Sequence, residues 1–190
     1  THVSSTSTSP RSGSRVERAG LEGGAHFIEH LLFKGTKKRT AAALAKEIDA
    51  IGGHLDAFTS REYTAFYLNL LVDHLERGME ILSDILLHST FPANEVERER
   101  KVILEEIRSA EDNPEDCAYE LLVQGLWGGN ALGLPILGGP ESVGKVPRAR
   151  LLEFFADHYR SGNLVFAAAG GVTHEHLERL WRRHFPFPKR

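Results

Sequence analysis

His26-Phe27-Ile28-Glu29-His30-Leu31-Leu32-Phe33 is the stretch from which the rest of the chain can be read. Gly23-Gly24 precede it and Gly35 follows it, which predicts a short helix between glycine breaks. At about 100° per residue, His26, Glu29, His30 and Phe33 fall on one arc. Phe27, Ile28, Leu31 and Leu32 cover the remaining surface, so the helix is apolar nearly all round and should be buried. Three ionisable side chains on one stripe of a buried helix are costly unless something compensates them. A bound cation does so directly. Histidines at i and i+4 lie about 6 Å apart along the axis, within joint reach of one ion. Neutral imidazoles suit zinc, and Glu29, beside His30, can face an open coordination position as a general base. Taken alone the HxxEH pattern fixes few positions, and a chance match on a core helix is the plain alternative.

A catalytic zinc needs a third protein ligand. Residues 92–112 supply one, because a proline in the first turn and an unbroken run of charged and aliphatic residues predict a long helix there. Its apolar positions (Val96, Val102, Ile103, Leu104, Ile107, Ala110) centre near Ile103. Glu99 and Glu106 lie beside that centre, two turns apart, whereas Glu105 points about 160° away from it. Glu106 is therefore the candidate ligand and Glu99 a candidate acceptor for the free N–H of a ligating histidine. Glu105 reads as an ordinary solvated carboxylate.

Outward from these two helices, Thr40 is a plausible N-cap for a helix to about residue 51, stopped by Gly52-Gly53. Residues 54–59 and 63–71 alternate as strands around Ser60-Arg61-Glu62, which predicts a hairpin. Helices are expected at 73–88, 115–127, 148–159 and 173–185, with a buried strand at 164–169. The Gly- and Pro-rich stretch 128–146 reads as a loop. Residues 1–15 are polar, Ser/Thr-rich and expected to be disordered. The whole is α+β, a mixed, largely antiparallel sheet packed against helices. Residues 1–12 form a disordered or atypical segment, and 13–190 one domain. Trp127 and Trp181 read as core anchors.

An apolar content of 41% with 26% charged residues is that of a globular protein. The net charge of −3, with Lys and Arg scattered, leaves no footprint for nucleic acid and no polybasic patch for a membrane. Cys117, the single cysteine, excludes an internal disulfide and reads as an inert thiol in a reducing, cytoplasmic setting. A start at Thr1 and a lone Met79 lead to the expectation that the chain is a piece of a longer product. His174 and His176 sit at a helix start and read as solvated.

The segment from His26 to Phe33, continued by Lys34-Gly35-Thr36, resembles the signature of the insulinase/pitrilysin family of HxxEH zinc peptidases, which includes the mitochondrial processing peptidases and their bacterial relatives. Gly52-Gly53-His54-Leu55-Asp56-Ala57-Phe58-Thr59-Ser60-Arg61-Glu62-Tyr63-Thr64, the run from Glu97 to Ile107, and Leu134-Pro135-Ile136-Leu137-Gly138 are similar to further family stretches. Glu106 follows His30 by 76 residues, a spacing similar to that of the family's ligand glutamate. The resemblance implies the processing-peptidase fold and one Zn2+ per chain on His26, His30 and Glu106. It also implies Glu29 as the catalytic base and Glu99 as its support around the ligands. Peptide or unfolded polypeptide would bind along the strand holding Asp56, Ala57 and Phe58, by main-chain pairing. A complementary C-terminal half or second subunit would complete the enzyme, so the chain alone is expected to be weakly active.

Two departures go with the resemblance. The family has an apolar strand ahead of the position of Gly13, so a strand of the sheet is expected to be missing here, and its residue at the position of Asp56 is more often asparagine. The function expected is a zinc-dependent endopeptidase. The alternative is a non-catalytic assembly or peptide-binding subunit of the same fold.

Overall fold

Glycine and proline set most of the element boundaries in the computed structural model, which describes residues 2–10 and 12–186. In chain order these are β1 (His2–Pro10), α1 (Gly24–Leu32), α2 (Ala41–Ala50), β2 (His54–Thr59), β3 (Thr64–Leu71), α3 (Leu75–His88), α4 (Ala93–Asp112), α5 (Pro114–Trp127), α6 (Pro140–Lys145), α7 (Arg148–His158), β4 (Leu164–Gly170) and α8 (His174–His184). Thr40 caps α2 by accepting from the Ala43 N–H, and Asn113 caps α5 by accepting from Glu115.

The four strands form one sheet in the order β2-β3-β1-β4, and every described pairing is antiparallel. With helices packed on it, the class is α+β. The sheet is not short of a strand. The Ser/Thr-rich segment runs as β1 between β3 and β4, with Thr8 opposite both Phe66 and Phe166. A strand hydrogen-bonded on both sides draws on its backbone, which composition does not report, and its threonines are β-branched. Thr1 and Arg11, also in the segment expected to be disordered, lie outside the described residues.

The core lies between the sheet and α1 and α3. On α1, Ala25, Phe27, Ile28, Leu31 and Leu32 are fully buried, against Phe66 and Leu68 of β3 and Ile81, Leu82 and Ile85 of α3. Each of the Phe, Ile and Leu side chains contributes roughly 1.5–3 kcal/mol relative to leaving it exposed. The stripe of His26, Glu29 and His30 is left to face two further elements: β2, whose Thr59 meets Glu29, and α4, which buries Val96, Glu99, Ile103 and Ile107.

Two devices hold the entry to α1. The Glu17 carboxylate accepts from the backbone N–H of Gly23 (2.9 Å) and Ala25 (2.8 Å), occupying donors that the first turn leaves open. Gly23 (φ 86°) and Gly138 (φ 72°) meet backbone to backbone, and a Cβ on either would come within 2.3 Å of a carbonyl oxygen on the other strand of chain. Residues 135–138 are thereby clamped against the start of the motif helix.

Arg39, almost fully buried, ties α2 to α3 through Glu47 (2.9 Å), Glu80 (2.8 Å) and Asp84 (2.7 Å). The stretch 128–146, expected to be a loop, contains α6. Pro140 opens that helix, and the Ser142 hydroxyl and the Gly139 backbone bond reciprocally. Trp181 stacks on Phe166 and Phe185, whereas Trp127 is half-exposed at the end of α5 and anchors no core. Among the described residues no helix is long and apolar enough to cross a membrane.

Candidate metal centre

Packing α1 on α4 brings His26, His30 and Glu106 together, with one ligand atom from each within 4.8 Å of the others. Glu106 Oε2 lies 3.8 Å from His26 Nε2 and 3.7 Å from His30 Nε2. These separations are too long for hydrogen bonds. Two donors each about 2.0–2.1 Å from a tetrahedral zinc would stand roughly 3.4 Å apart, so the two nitrogen–oxygen separations need to close by only a few tenths of an ångström. Two imidazole nitrogens and a carboxylate oxygen, with one position left for water, form a donor set that catalytic zinc takes. The residues present fit the ion. Among the described residues, no other group of His, Cys, Asp and Glu converges in this way.

Electrostatics favour the same use. Burial, with His30 beside it, pulls the His26 pKa from its ordinary 6.5 down to about 4, so the ring is neutral and offers a lone pair at neutral pH. His30 Nδ1 lies 3.1 Å from Glu99 Oε2. An ionised carboxylate only accepts, so Nδ1 is the donor, and in the neutral ring the lone pair lies on Nε2, on the side of Glu106. Glu105, one residue from Glu106, is exposed and pairs with Arg108.

Glu29 is 9% exposed on the same stripe, and its Oε2 accepts from the Thr59 hydroxyl at 2.5 Å. The Thr64 hydroxyl lies 3.2 Å behind Thr59. Burial raises the Glu29 pKa above the usual carboxylate range, while the Thr59 bond and His30 oppose the rise. A base shifted in this direction takes up a proton more readily near neutral pH. Sequence reasoning missed Thr59. It closes β2, where alternation alone gives no sign of a carboxylate partner thirty residues earlier.

A cleft of about 600 Å³ opens beside these groups. His26 and Glu29 form its floor, Ala57, Phe58 and Thr59 of β2 one wall, and Ile107 and Ala110 of α4, Tyr119 of α5 and residues 135–138 the others. Among the described residues the chain order of the sheet leaves β2 as an edge strand, unpaired on its outer side. Ala57 and Phe58 therefore reach the cleft. Asp56 does not line it. Its carboxylate accepts from the Tyr67 hydroxyl (2.6 Å) and the Ala57 N–H (2.8 Å), and the Tyr67 bond holds its pKa below the ordinary value. Cys117 sits on the α5 wall with its thiol 3.1 Å from the Glu111 carbonyl.

Residues 1–140 match the insulinase family, peptidase family M16. The chain belongs to the peptidase M16 family. Its residues 145–187 match a second description, the peptidase M16 inactive domain. Among curated relatives of this M16 chain is an uncharacterized zinc protease of Streptomyces coelicolor, 42% identical over 173 residues, which cover 91% of this chain and 38% of the relative. The mitochondrial-processing peptidase subunit beta of Bos taurus is 43% identical over 173 residues, 91% of this chain and 35% of that subunit. In structure the chain matches the periplasmic protease PqqL from Escherichia coli with a TM-score of 0.90 at 26% identity, covering 98% of this chain and 21% of that one. A protease from Helicobacter pylori aligns with a TM-score of 0.92 at 24% identity over 96% of this chain and 45% of that chain, a likeness of fold. The M16 chain thus spans about two fifths of the length of the curated relatives it matches. At the level of the family it is a peptidase domain with zinc-protease relatives.

Proposed function

We propose that the protein containing this chain is a zinc-dependent endopeptidase that hydrolyses extended peptides, with one zinc per chain on His26, His30 and Glu106 and Glu29 as general base. The observation that carries the reading is the convergence of those three donors, with Glu29 beside them, on the floor of a cleft walled by an unpaired strand edge. Zinc held there by His26, His30 and Glu106 would supply Lewis-acid polarisation. Glu29 would take a proton from the attacking water and pass it to the leaving amine nitrogen, with Oε2 held by Thr59 and Oε1 left to carry the proton. Substrate backbone pairs with the outer edge of β2 at Ala57 and Phe58, which tolerates varied sequences because main-chain groups make the bonds. Asp56, bonded to the Tyr67 hydroxyl, ties β2 to β3 beside that edge.

Apolar walls at Ile107 and Leu137 exclude water from one side of the cleft only. A complementary half or subunit closes the other side. A non-catalytic peptide-binding subunit would use the same strand edge, but it has no need of a buried carboxylate beside a zinc donor set. The test is hydrolysis of an unstructured fluorogenic peptide by the zinc-loaded protein together with its complementary half. Turnover should vanish with a chelator and return with one equivalent of zinc. Turnover that persists after zinc is removed, or no turnover at full zinc occupancy with the complementary half bound, refutes the proposal.

A further inference from the structure

We propose that Lys34 is a positioning residue of the metal centre, holding Glu99 so that Glu99 in turn fixes the ring of His30 with its Nε2 lone pair toward the metal. The inference rests on the zinc reading of His26, His30 and Glu106 but concerns a residue outside that set.

Lys34 stands one helical turn beyond His30, so its side chain runs along the same face. Its Nζ lies 2.8 Å from Glu99 Oε1, while Glu99 Oε2 lies 3.1 Å from His30 Nδ1. The backbone there cannot drift. The Lys34 N–H donates to the Leu31 carbonyl at 3.0 Å, and the next residue, Gly35 (φ 130°), has its carbonyl bonded to the Thr90 N–H at 3.2 Å. A cation just past the C-terminus of α1 also suits the helix dipole.

Glu99 is 6% exposed, and a carboxylate buried to that degree needs a counter-charge. The basic residues on its own helix are committed elsewhere or face away. Arg98 pairs with Glu95, Arg100 binds Glu97 and the carbonyls of Val143 and Val146, and Lys101 is exposed. Among the described residues, Lys34 is the lysine or arginine paired with Glu99.

The hydrogen-bond arithmetic then fixes the ring. An ammonium group only donates, so Oε1 must accept from Lys34. Oε2 remains as an acceptor, which requires His30 Nδ1 to carry the hydrogen and, in the neutral ring that binds a metal, places the lone pair on Nε2. Without Lys34, Oε1 is buried and unpaired, and the carboxylate is free to turn away from His30.

The test needs no catalysis. Zinc affinity is measured by chelator competition for the wild-type chain and for Lys34→Met, Lys34→Arg and Lys101→Met. The ring nitrogens of His30 are read by 15N NMR in the metal-free protein. Loss of a partner of this kind should weaken zinc binding by about 10–100-fold in Lys34→Met. Lys34→Arg should recover most of that loss, and Lys101→Met should match wild type. The NMR signature should be the Nδ1–H form in wild type and a mixture in Lys34→Met. Wild-type affinity in Lys34→Met, or equal loss in Met and Arg variants with an unchanged His30 signature, overturns the inference. Should wild type itself not bind zinc, the reading of the three donors fails, and the His30 signature still decides whether Lys34 sets the ring.

Discussion

Replacing Glu106 with glutamine separates the proposed ligand from its neighbour more sharply than any other change in the molecule. The substitution keeps size and shape but removes the only anionic donor of the three. Structural zinc sites with four ligands are worth roughly 10–16 kcal/mol, so one ligand of such a set stands for about 3 kcal/mol. At 1.4 kcal/mol per decade that is about a hundredfold in affinity. The geometry makes loss of this size reasonable, because Glu106 Oε2 is the atom that spans both imidazoles, at 3.7 and 3.8 Å. Glu105→Gln makes the same chemical change one residue away, where the side chain is exposed and paired with Arg108, and should alter zinc affinity by less than about twofold. Chelator competition at fixed pH reports both constants. Thermal unfolding in excess zinc gives an independent reading, since a hundredfold weaker site forfeits up to about 2.7 kcal/mol of ligand-linked stability. Equal loss from both variants, or from neither, refutes Glu106 as the ligand.

Glu29→Gln should keep zinc affinity within about twofold yet lower kcat by about 10²–10⁴ in the complete enzyme. Near wild-type turnover would remove Glu29 as the base. Arg39→Met strips the cation from Asp84, which is 2% exposed, and should cost about 3–5 kcal/mol in urea unfolding. A loss under about 1 kcal/mol would mean that the Thr36 hydroxyl, 2.7 Å from Asp84, suffices. For His26 the folded pKa, about 4, lies below the ordinary 6.5, so the unfolded chain takes up its proton first as pH falls. Its contribution to the metal-free protein should be full above about 6.5, decline towards pH 4 by on the order of 3 kcal/mol, and then level off. Burial raises the carboxyls of Glu17 and Glu29 and works in the opposite sense, so the His26 part is the difference from His26→Leu across a series of urea titrations. A difference independent of pH would contradict a buried neutral ring.

The legible parts of this chain are those whose signal is local. The i, i+4 spacing of His26 and His30 and the apolar surround of their helix are periodic facts, and burial follows from them. Glu106 and Glu99 could be placed on the inner face of α4 because that helix is long enough for its apolar stripe to define a direction. Pairings between distant segments were not legible. Thr59 meets Glu29, Lys34 meets Glu99, and Gly138 meets Gly23 only after the sheet has brought their elements together. The N-terminal strand was hidden for a different reason. Composition weighs side chains, and β1 is placed by backbone pairing on both of its edges.

The charges around the motif make the case for a divalent ion from a direction independent of ligand distances. In the metal-free fold, burial acts on His26 and Glu29 alike by favouring their neutral forms, down in one case and up in the other. A stripe of ionisable groups on an enclosed helix thereby becomes tolerable, but only as a set of weakly charged groups. A bound dication would reverse the preference of the acid, because a nearby positive charge stabilises a carboxylate, and Glu29 would then be ionised as the proposed base requires. Glu106 contributes a second negative charge and Glu99 a third. One zinc ion and the ammonium of Lys34 together answer those three carboxylates, so the centre is balanced when filled. Without Lys34 the negative charge would be left on Glu99, at 6% exposure, and without the metal Glu29, at 9%, would be favoured in its protonated form. In the proposed filled centre the carboxylates of Glu29, Glu99 and Glu106 would thus be balanced by two cations, one of them supplied by the chain itself.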